Sequence, residues 1–166
     1  MDNYMMLEGK KIPLTDEQVK MLKAVGTKKA PFERVKEGED YYAIDIAGEV
    51  IPCEDYGHGV DDTLFNVANY CTDEELMQRR ALHETLNRLL WRYSMEHGEQ
   101  ENEWDGSNNH YSIGVDVRKP GHPYTVIWCQ VSTQNGLVYF PTSDIAQAAI
   151  QEIVEPFIKE HPEFVW

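Results

Sequence analysis

A long amphipathic helix is predicted from Thr72 to Gly98, and it limits the folds that the rest of the chain can adopt. Thr72 and Glu75 form a capping box at its start, where acidic side chains also suit the positive end of the helix dipole. Apolar residues then follow at helical spacing, at Leu82, Leu86, Leu89 and Tyr93. A helix with one apolar face must pack against another element, so the segments around it decide the fold class.

Strand patterns lie on both sides of this helix. Residues 41–46 and 49–53 predict a hairpin with a two-residue turn at Ala47-Gly48, and residues 55–62 predict a loop. Further strands are predicted at 111–117, 124–132 and 137–140. The order indicates an α+β fold, in which an antiparallel sheet of about five strands packs against about three helices.

Two more helices are predicted near the ends of the chain. Thr15 and Gln18 form a capping box for a short helix that ends near Gly26. Thr142 caps the last helix, which Pro156 is expected to bend or to end early. We therefore divide the chain into residues 1–40, an N-terminal helix with a charged connector, and residues 41–166, a single α+β domain.

Two parts of the sequence resemble each other. Residues 42–46 (Tyr-x-Ile-x-Ile) match residues 111–115 (Tyr-x-Ile-x-Val), and residues 70–72 match residues 140–142 before a helix. One interpretation is a pair of related β-β-α halves. The other is that any strand followed by a Thr-capped helix gives this pattern, and the sequence leaves both open.

The charge is strongly negative and unevenly distributed. The net charge is −14, and residues 1–40 carry equal numbers of basic and acidic side chains. The whole excess therefore falls on residues 41–166, which should repel nucleic-acid phosphates and attract a basic protein. The alternative interpretation is that the acids only keep the protein soluble.

The cysteines and the apolar runs bear on the compartment. Cys53, Cys71 and Cys129 are odd in number and far apart, so they predict neither a disulfide framework nor a metal pair. No apolar run reaches the roughly 20 residues that a bilayer requires, and the first residues do not read as a secretory signal. We predict a cytoplasmic protein in a reducing environment.

Acidic and aromatic residues are the candidates for a protein-binding surface. Trp and Tyr are favoured anchors at interfaces, and Trp104 and Trp166 fall in a predicted loop and at the C-terminus. Trp128 lies in a predicted strand, where core packing is expected. The candidate binding residues are Glu54, Asp55, Asp61, Asp62, Asp73, Glu74, Glu99, Glu101, Glu103, Trp104 and Trp166.

Catalytic motifs are not apparent in the sequence. It contains no phosphate-binding loop, nucleophile elbow or zinc-protease motif, so no catalytic residue and no cofactor is predicted. The segment 54–62 offers one ligand set for a divalent cation, but it matches no EF-hand pattern, and a solvated acidic loop is the better interpretation. The candidate ligands are Asp55, His58, Asp61 and Asp62.

Four arginines in the long helix offer a possible phosphate-binding side: Arg79, Arg80, Arg88 and Arg92. Glu84 stands four residues from both Arg80 and Arg88, so pairing within the helix is the simpler interpretation.

Several short motifs resemble those of a family of small phage and prophage proteins of unknown activity from gut Firmicutes. The matching segments are 14–18 (LTDEQ), 31–36 (PFERVK), 38–42 (GEDYY), 48–50 (GEV), 69–70 (NY), 72–75 (TDEE), 139–140 (YF) and 143–147 (SDIAQ). The segments are spread along most of the chain, but they are caps, turns and strand cores. The resemblance implies a phage-linked setting and carries no catalytic residue.

Charge and setting together predict a non-enzymatic accessory protein that binds a basic host protein through an acidic surface. Such a partner could be a nucleic-acid-binding defence nuclease, which would make the protein an inhibitor of the anti-CRISPR type. A nucleic-acid-binding accessory of phage DNA metabolism is the second hypothesis. A metal-dependent enzyme that uses the 54–62 loop is the third.

Overall fold

The computed structural model describes residues 4–7, 10–19, 21, 30–99, 104, 106–116, 118, 124–129, 134 and 136–166. The strands are β1 (Tyr4–Leu7), β2 (Lys10–Pro13), β3 (Asp40–Ile44), β4 (Val50–Glu54), β5 (His110–Val115) and β6 (Tyr124–Cys129). The helices are α1 (Gly59–Asn66), α2 (Glu74–Glu96), α3 (Ser143–Ala149) and α4 (Glu155–Glu160). A π-helical turn at Ile150–Val154 joins α3 to α4. The predicted α+β class is confirmed.

The prediction of one five-stranded sheet is wrong. The six described strands pair as three separate two-stranded antiparallel sheets, β1 with β2, β3 with β4, and β5 with β6. The segment predicted as a strand at 137–140 forms only a single bridge, between Phe140 and Tyr111. A matching bridge joins Tyr42 to Cys71. The β3–β4 and β5–β6 hairpins thus each gain one short extra pairing, and the helices supply the remaining cover.

Two hairpin–helix units share the same local arrangement. In the first unit, the bridge at Cys71 leads directly to the cap of α2, and in the second, the bridge at Phe140 leads to the cap of α3. The bridge residue and the helix residue six positions later differ in size in opposite ways in the two units. The small Cys71 is followed by the large Met77, and the large Phe140 is followed by the small Ala146. All four residues are buried, so the two units fill a similar volume.

The caps of the two main helices differ from each other. Thr142 caps α3 as predicted, since its Oγ1 accepts the amide of Ile145 at 3.2 Å. Asp73 caps α2 in place of the predicted Thr72, and its carboxylate accepts the amide of Leu76 at 3.1 Å. The Thr72 hydroxyl donates instead to the carbonyls of Ala30 at 3.3 Å and Pro31 at 3.4 Å. The Thr72 amide also donates to the Pro31 carbonyl at 2.8 Å, which ties this segment to the start of α2.

Pro156 does not end the last helix. The chain stays helical from Ser143 to Glu160, and a π-helical turn at Ile150–Val154 comes immediately before the segment that contains Pro156. Proline lacks an amide proton and crowds the preceding turn, so a wider turn at this point lets the helix continue.

The loop predicted at 55–62 is partly helical, because α1 begins at Gly59. The Thr15–Gln18 capping box is confirmed by reciprocal bonds of 2.9 and 3.2 Å, and residues 16–19 are helical. The rest of the predicted N-terminal helix falls largely outside the described residues. No helix in the described part of the chain is both long and apolar enough to cross a membrane.

The main hydrophobic core joins α2 to the second unit and to the C-terminal residues. Leu86 and Leu90 of α2 meet Ile113 of β5 and Phe140 there, and Phe164 from the tail closes one side. Smaller clusters lie beneath the β3–β4 hairpin, one around Tyr41 and Tyr70 and the other around Ile44 and Met77.

The turn between β3 and β4 has three residues instead of the predicted two, because Asp45 and Glu49 still pair at 2.9 Å. Gly48 has φ +90°, and a Cβ at this position would lie 3.1 Å from both Arg88 Nη2 and Thr85 Oγ1 of α2. We expect Gly48→Ala to lower the free energy of unfolding by about 1–2 kcal/mol, measured by urea denaturation.

Gly38→Ala is the matched control for Gly48→Ala. Its φ of +83° is similar, and nothing lies within 4 Å of its added Cβ. It should therefore report the backbone strain alone. Equal losses for the two variants would contradict the tight contact between the turn and α2.

Candidate functional site

An acidic patch lies on one face of the β3–β4 hairpin and is formed by Asp40, Glu54 and Glu74 with Tyr42 and Tyr56. Asp40 and Glu54 are directly opposite each other in the strand register. Glu74, at the start of α2, raises the pKa of Tyr42 by its charge, with burial and Asp40 adding to the effect. The Tyr56 hydroxyl donates to Glu54 Oε2 at 2.9 Å, and Glu54 raises the pKa of Tyr56. Three carboxylates therefore surround two tyrosines on an open surface.

Asp55 does not belong to this surface, although it was a candidate binding residue. It is 2% exposed, and its carboxylate binds the Arg34 guanidinium, with the Nε–Oδ2 distance at 3.1 Å. Tyr70 donates to Oδ2 at 2.9 Å and the amide of Gly57 donates to Oδ1 at 2.8 Å. The Arg34 hydrogen bond, helped by Gly57 and Tyr70, lowers the pKa of Asp55 to about 2. Asp55 is thus a structural anion.

Asp61 is buried as well. Its carboxylate accepts the amide of His58 at 3.0 Å and that of Tyr56 at 3.2 Å, and the Tyr41 hydroxyl at 2.9 Å. The His58 amide contributes most to lowering the pKa of Asp61. The side chain therefore holds the start of α1 against the hairpin.

The proposed metal ligands do not assemble. No group of three or more His, Cys, Asp or Glu side chains in the described residues is arranged to hold a metal ion. Asp55 is occupied by Arg34, and Asp62 binds the same guanidinium from an exposed position. The ring of His58 is exposed.

The arginines of α2 make contacts within the protein. Arg80 Nε donates to Glu84 Oε1 at 2.6 Å, which confirms the predicted intrahelical pair, and Arg80 also binds the carbonyl of Ala68. Arg88 contacts the Glu84 carbonyl instead of its carboxylate, at 3.3 Å. Arg79 and Arg92 are exposed.

A cleft of about 690 Å³ lies between the β3–β4 hairpin, α2 and the C-terminal residues. Its ionisable lining consists of Glu49, Glu75, Arg79, His161 and Glu163. Carboxylates therefore outnumber cations here, as on the hairpin.

The remaining candidate binding residues lie in different parts of the chain. Asp73 is the cap of α2, and Glu101 and Glu103 lie outside the described residues. Trp166 is 42% exposed and its ring lies 5.6 Å from that of Tyr124. Trp128, expected in the core, is 63% exposed on β6.

A buried pair of Glu99 and His110 was not predicted as a unit. The two side chains are 6% and 5% exposed, and His110 Nδ1 lies 2.8 Å from Glu99 Oε1. The ring of Trp104 stacks on His110 at 3.9 Å and meets Tyr139 edge-on at 4.9 Å. Glu99 Oε2 and His110 Nε2 have no hydrogen-bond partner among the described residues. Sequence reasoning missed the pair because the two residues are separated by a polar segment and match no motif.

The chain matches no protein-family model, and no curated protein or solved structure is significantly similar to it. Its sites are therefore interpreted from their own geometry.

Proposed function

We propose that the protein acts by binding a basic protein through the acidic patch of the β3–β4 hairpin. The carrying observation is the register of β3 and β4, which sets Asp40 opposite Glu54 with Glu74 close by. Like charges directly opposite each other in a sheet are destabilising, and a cationic partner would relieve that repulsion. Exposed tyrosine beside the carboxylates adds an aromatic anchor, since Tyr56 is 54% exposed.

The pairing of the arginines supports the proposal. Arg34, Arg80 and Arg118 each form an ion pair with a carboxylate of the same chain. These cations are therefore satisfied internally, while Glu54 and Glu74 remain exposed. A surface with this distribution attracts a cationic protein and raises its association rate at low salt.

The partner that fits this chemistry is a protein whose own function is to bind phosphates. The lysines and arginines of that partner would bind the carboxylates in place of nucleic-acid phosphates. The protein would therefore compete with nucleic acid for the phosphate-binding site of the partner. A host defence nuclease, including one of the CRISPR type, is the specific partner that we propose. The phage-linked resemblance favours this setting.

Binding should depend on the patch and on salt. We expect the triple variant D40N/E54Q/E74Q to bind a purified host nuclease at least about tenfold more weakly than the wild type at low ionic strength. The wild-type interaction should also weaken steeply as salt rises, because exposed charges are screened beyond about 10 Å at 0.1 M salt. Affinity is measured by surface plasmon resonance across a panel of such nucleases.

The variant D144N/E155Q/E160Q is the matched control, since it removes three exposed carboxylates from α3 and α4 and changes the net charge equally. It should retain affinity within about threefold of the wild type, because distant rim charges contribute little. Equal losses for both triples would indicate an effect of net charge alone. Binding that is insensitive to salt, or no binding to any nuclease of the panel, would refute the proposal.

The alternative of direct nucleic-acid binding predicts a different result. A gel shift of duplex DNA at low salt would favour it, whereas an acidic competitor leaves the DNA unshifted. The internal bonds of Arg80 and Arg88 weigh against this alternative.

We also infer that the two hairpin–helix units are related by duplication. Two features support this origin: the spacing of their bridges is equal, and both bridges lead to capped helices.

A further inference from the structure

We propose that the cleft beside Glu99 and His110 binds a guanidinium-type organic cation, supplied either by a small molecule or by an arginine of a protein. The cleft holds about 310 Å³ and is lined by Gly98, Glu99, Asn108, Asn109, His110, Tyr111, Pro141 and Thr142. Glu99 and His110 belong to this lining, and their unpartnered atoms Oε2 and Nε2 are buried, so in the proposed site the pair lies beneath the cleft and the ligand reaches it by displacing the side chains above it.

The hydrogen-bonding capacity of Glu99 and His110 indicates the charge of the ligand. In the proposed site Glu99 is ionised and the His110 ring is neutral, with its proton on Nδ1, which lies 2.8 Å from Glu99 Oε1. His110 Nε2 is then an acceptor, and Glu99 Oε2 is a second one. Both are buried without a partner among the described residues. Two acceptors call for a ligand that brings hydrogen-bond donors, which disfavours carboxylates, ionised phosphates and other ligands that only accept.

The choice between a metal ion and an organic cation follows from the ligand count. Glu99 and His110 provide only two groups, and no set of three ligands is found in the part of the chain that the structure describes. Structural and catalytic zinc sites require at least three protein ligands. A planar cation needs fewer contacts and forms strong charge-assisted bonds to one buried carboxylate.

The aromatic surroundings also favour a planar cation. His110 and Tyr111 are the aromatic residues that line the cleft, whereas Trp104, which stacks on His110, and Tyr139, which meets Trp104, are not part of its lining. Aromatic faces attract cations, and guanidinium groups stack on them as well.

In the first unit, the buried carboxylates are bonded by donors from the same chain. Tyr41 precedes the bridge residue of β3, as His110 precedes that of β5, and the Tyr41 hydroxyl is bonded to Asp61 at 2.9 Å. In the same cluster, buried Asp55 receives the guanidinium of Arg34 from the chain itself. The second unit shows no such cation for Glu99 in its described residues. The first unit thus contains a buried carboxylate that is satisfied by a guanidinium, which is the kind of partner that we propose for Glu99.

The test is a titration of the full chain with N-acetylarginine amide, followed by the fluorescence of Trp104 against a Trp104→Phe reference and by nitrogen NMR of the His110 ring. N-acetylcitrulline amide, which is nearly isosteric and uncharged, is the control ligand. We expect saturable binding of the arginine derivative, a change in the His110 Nε2 resonance, and no response to citrulline. Absence of saturable binding at millimolar ligand overturns the proposal.

Variants separate the site from general electrostatics. Glu99→Gln should weaken binding at least about tenfold, because a neutral amide lacks the charge and offers a donor. Glu96→Gln, an exposed carboxylate at the end of α2, should bind like the wild type. Equal loss in both variants overturns the proposal. If Glu99→Gln fails to fold, the wild-type comparison of arginine with citrulline still decides.

Two further results would overturn it. A His110 ring that carries protons on both nitrogens at pH 7 would make Nε2 a donor. Stoichiometric Zn²⁺ binding that shifts the same resonance and displaces the arginine derivative would assign the site to a metal. A blocked peptide with an internal arginine distinguishes the sources: binding equal to that of the amide favours a protein partner, and binding of the amide alone favours a small molecule. The titration contains no protein partner, so it is independent of the acidic-patch proposal.

Discussion

Replacing Phe140 with alanine is expected to lower the free energy of unfolding by about 3–5 kcal/mol, the range for deleting a fully buried aromatic ring. Phe140 is 0% exposed and lies in the main core with Leu86, Leu90 and Ala146. Its backbone also forms the bridge to Tyr111, with bonds of 2.9 and 2.6 Å. The small Ala146 cannot fill the space that the ring leaves, so a cavity remains between α2 and α3. Urea denaturation followed by circular dichroism measures the loss.

Phe32→Ala is the control for this prediction. Phe32 is 52% exposed, so its replacement should cost less than about 1 kcal/mol. A loss below about 1 kcal/mol for Phe140→Ala as well would mean that the core is not centred on this residue.

Asp55→Asn is the second variant with a large expected effect, a loss of about 3 kcal/mol. The carboxylate accepts bonds from Arg34, from Tyr70 and from the amide of Gly57, and an amide cannot accept all of them. The change also leaves Arg34 without its buried counter-ion. Asp62→Asn is the matched control: Asp62 binds the same guanidinium, but its side chain is 54% exposed, so the loss should stay below about 1 kcal/mol.

The same variant should change the response to acid. The pKa of Asp55 is lowered to about 2 in the folded protein, against about 3.9 in an unfolded chain. Its contribution to stability is therefore complete above about pH 4 and is lost as the pH falls towards 2. The wild type should lose stability across this window, and Asp55→Asn should show a smaller slope. Some slope should persist, because the pKa of Asp61 is lowered as well. Identical slopes for the two proteins would contradict the buried ion pair.

The acids of this protein thus have two separate roles. Asp55 and Asp61 are buried and bind donors of their own chain, whereas Asp40, Glu54 and Glu74 face outward. A substitution in the first group changes folding, and one in the second should change binding. Stability measurements on the same variants therefore separate the two.

Local patterns predicted the elements with short-range signals. The α2 helix, the hairpin of β3 and β4, and the Thr142 cap depend on residues a few positions apart, and each is present close to its predicted place. The hairpin turn was one residue longer than expected, and the α2 cap moved to Asp73, because Thr72 bonds to the distant Pro31. Helix α1 was missed because its acidic and glycine residues are typical of a loop, whereas its start is stabilised by the buried Asp61, which accepts bonds from the distant Tyr41 and from the amides of Tyr56 and His58.

The candidate sites divide in the same way. The negative charge of residues 41–166 follows from composition, but which carboxylates are exposed depends on distant partners. Arg34 binds a residue that lies 21 positions away, and Glu99 meets His110 across 11 positions. No local pattern specifies such pairs, since they require the hairpins and helices to be packed first.

The amino-acid sequence alone therefore establishes the α+β class, the main helices and an excess of negative charge, because periodicity, caps and composition are local or additive properties. The packed chain alone decides that the strands form separate hairpins, that Asp55 and Asp61 are internal anions, and that Glu99 and His110 share a buried site. These outcomes depend on which side chains exclude water together, and burial determines whether a carboxylate acts as a structural group or as a surface for a partner.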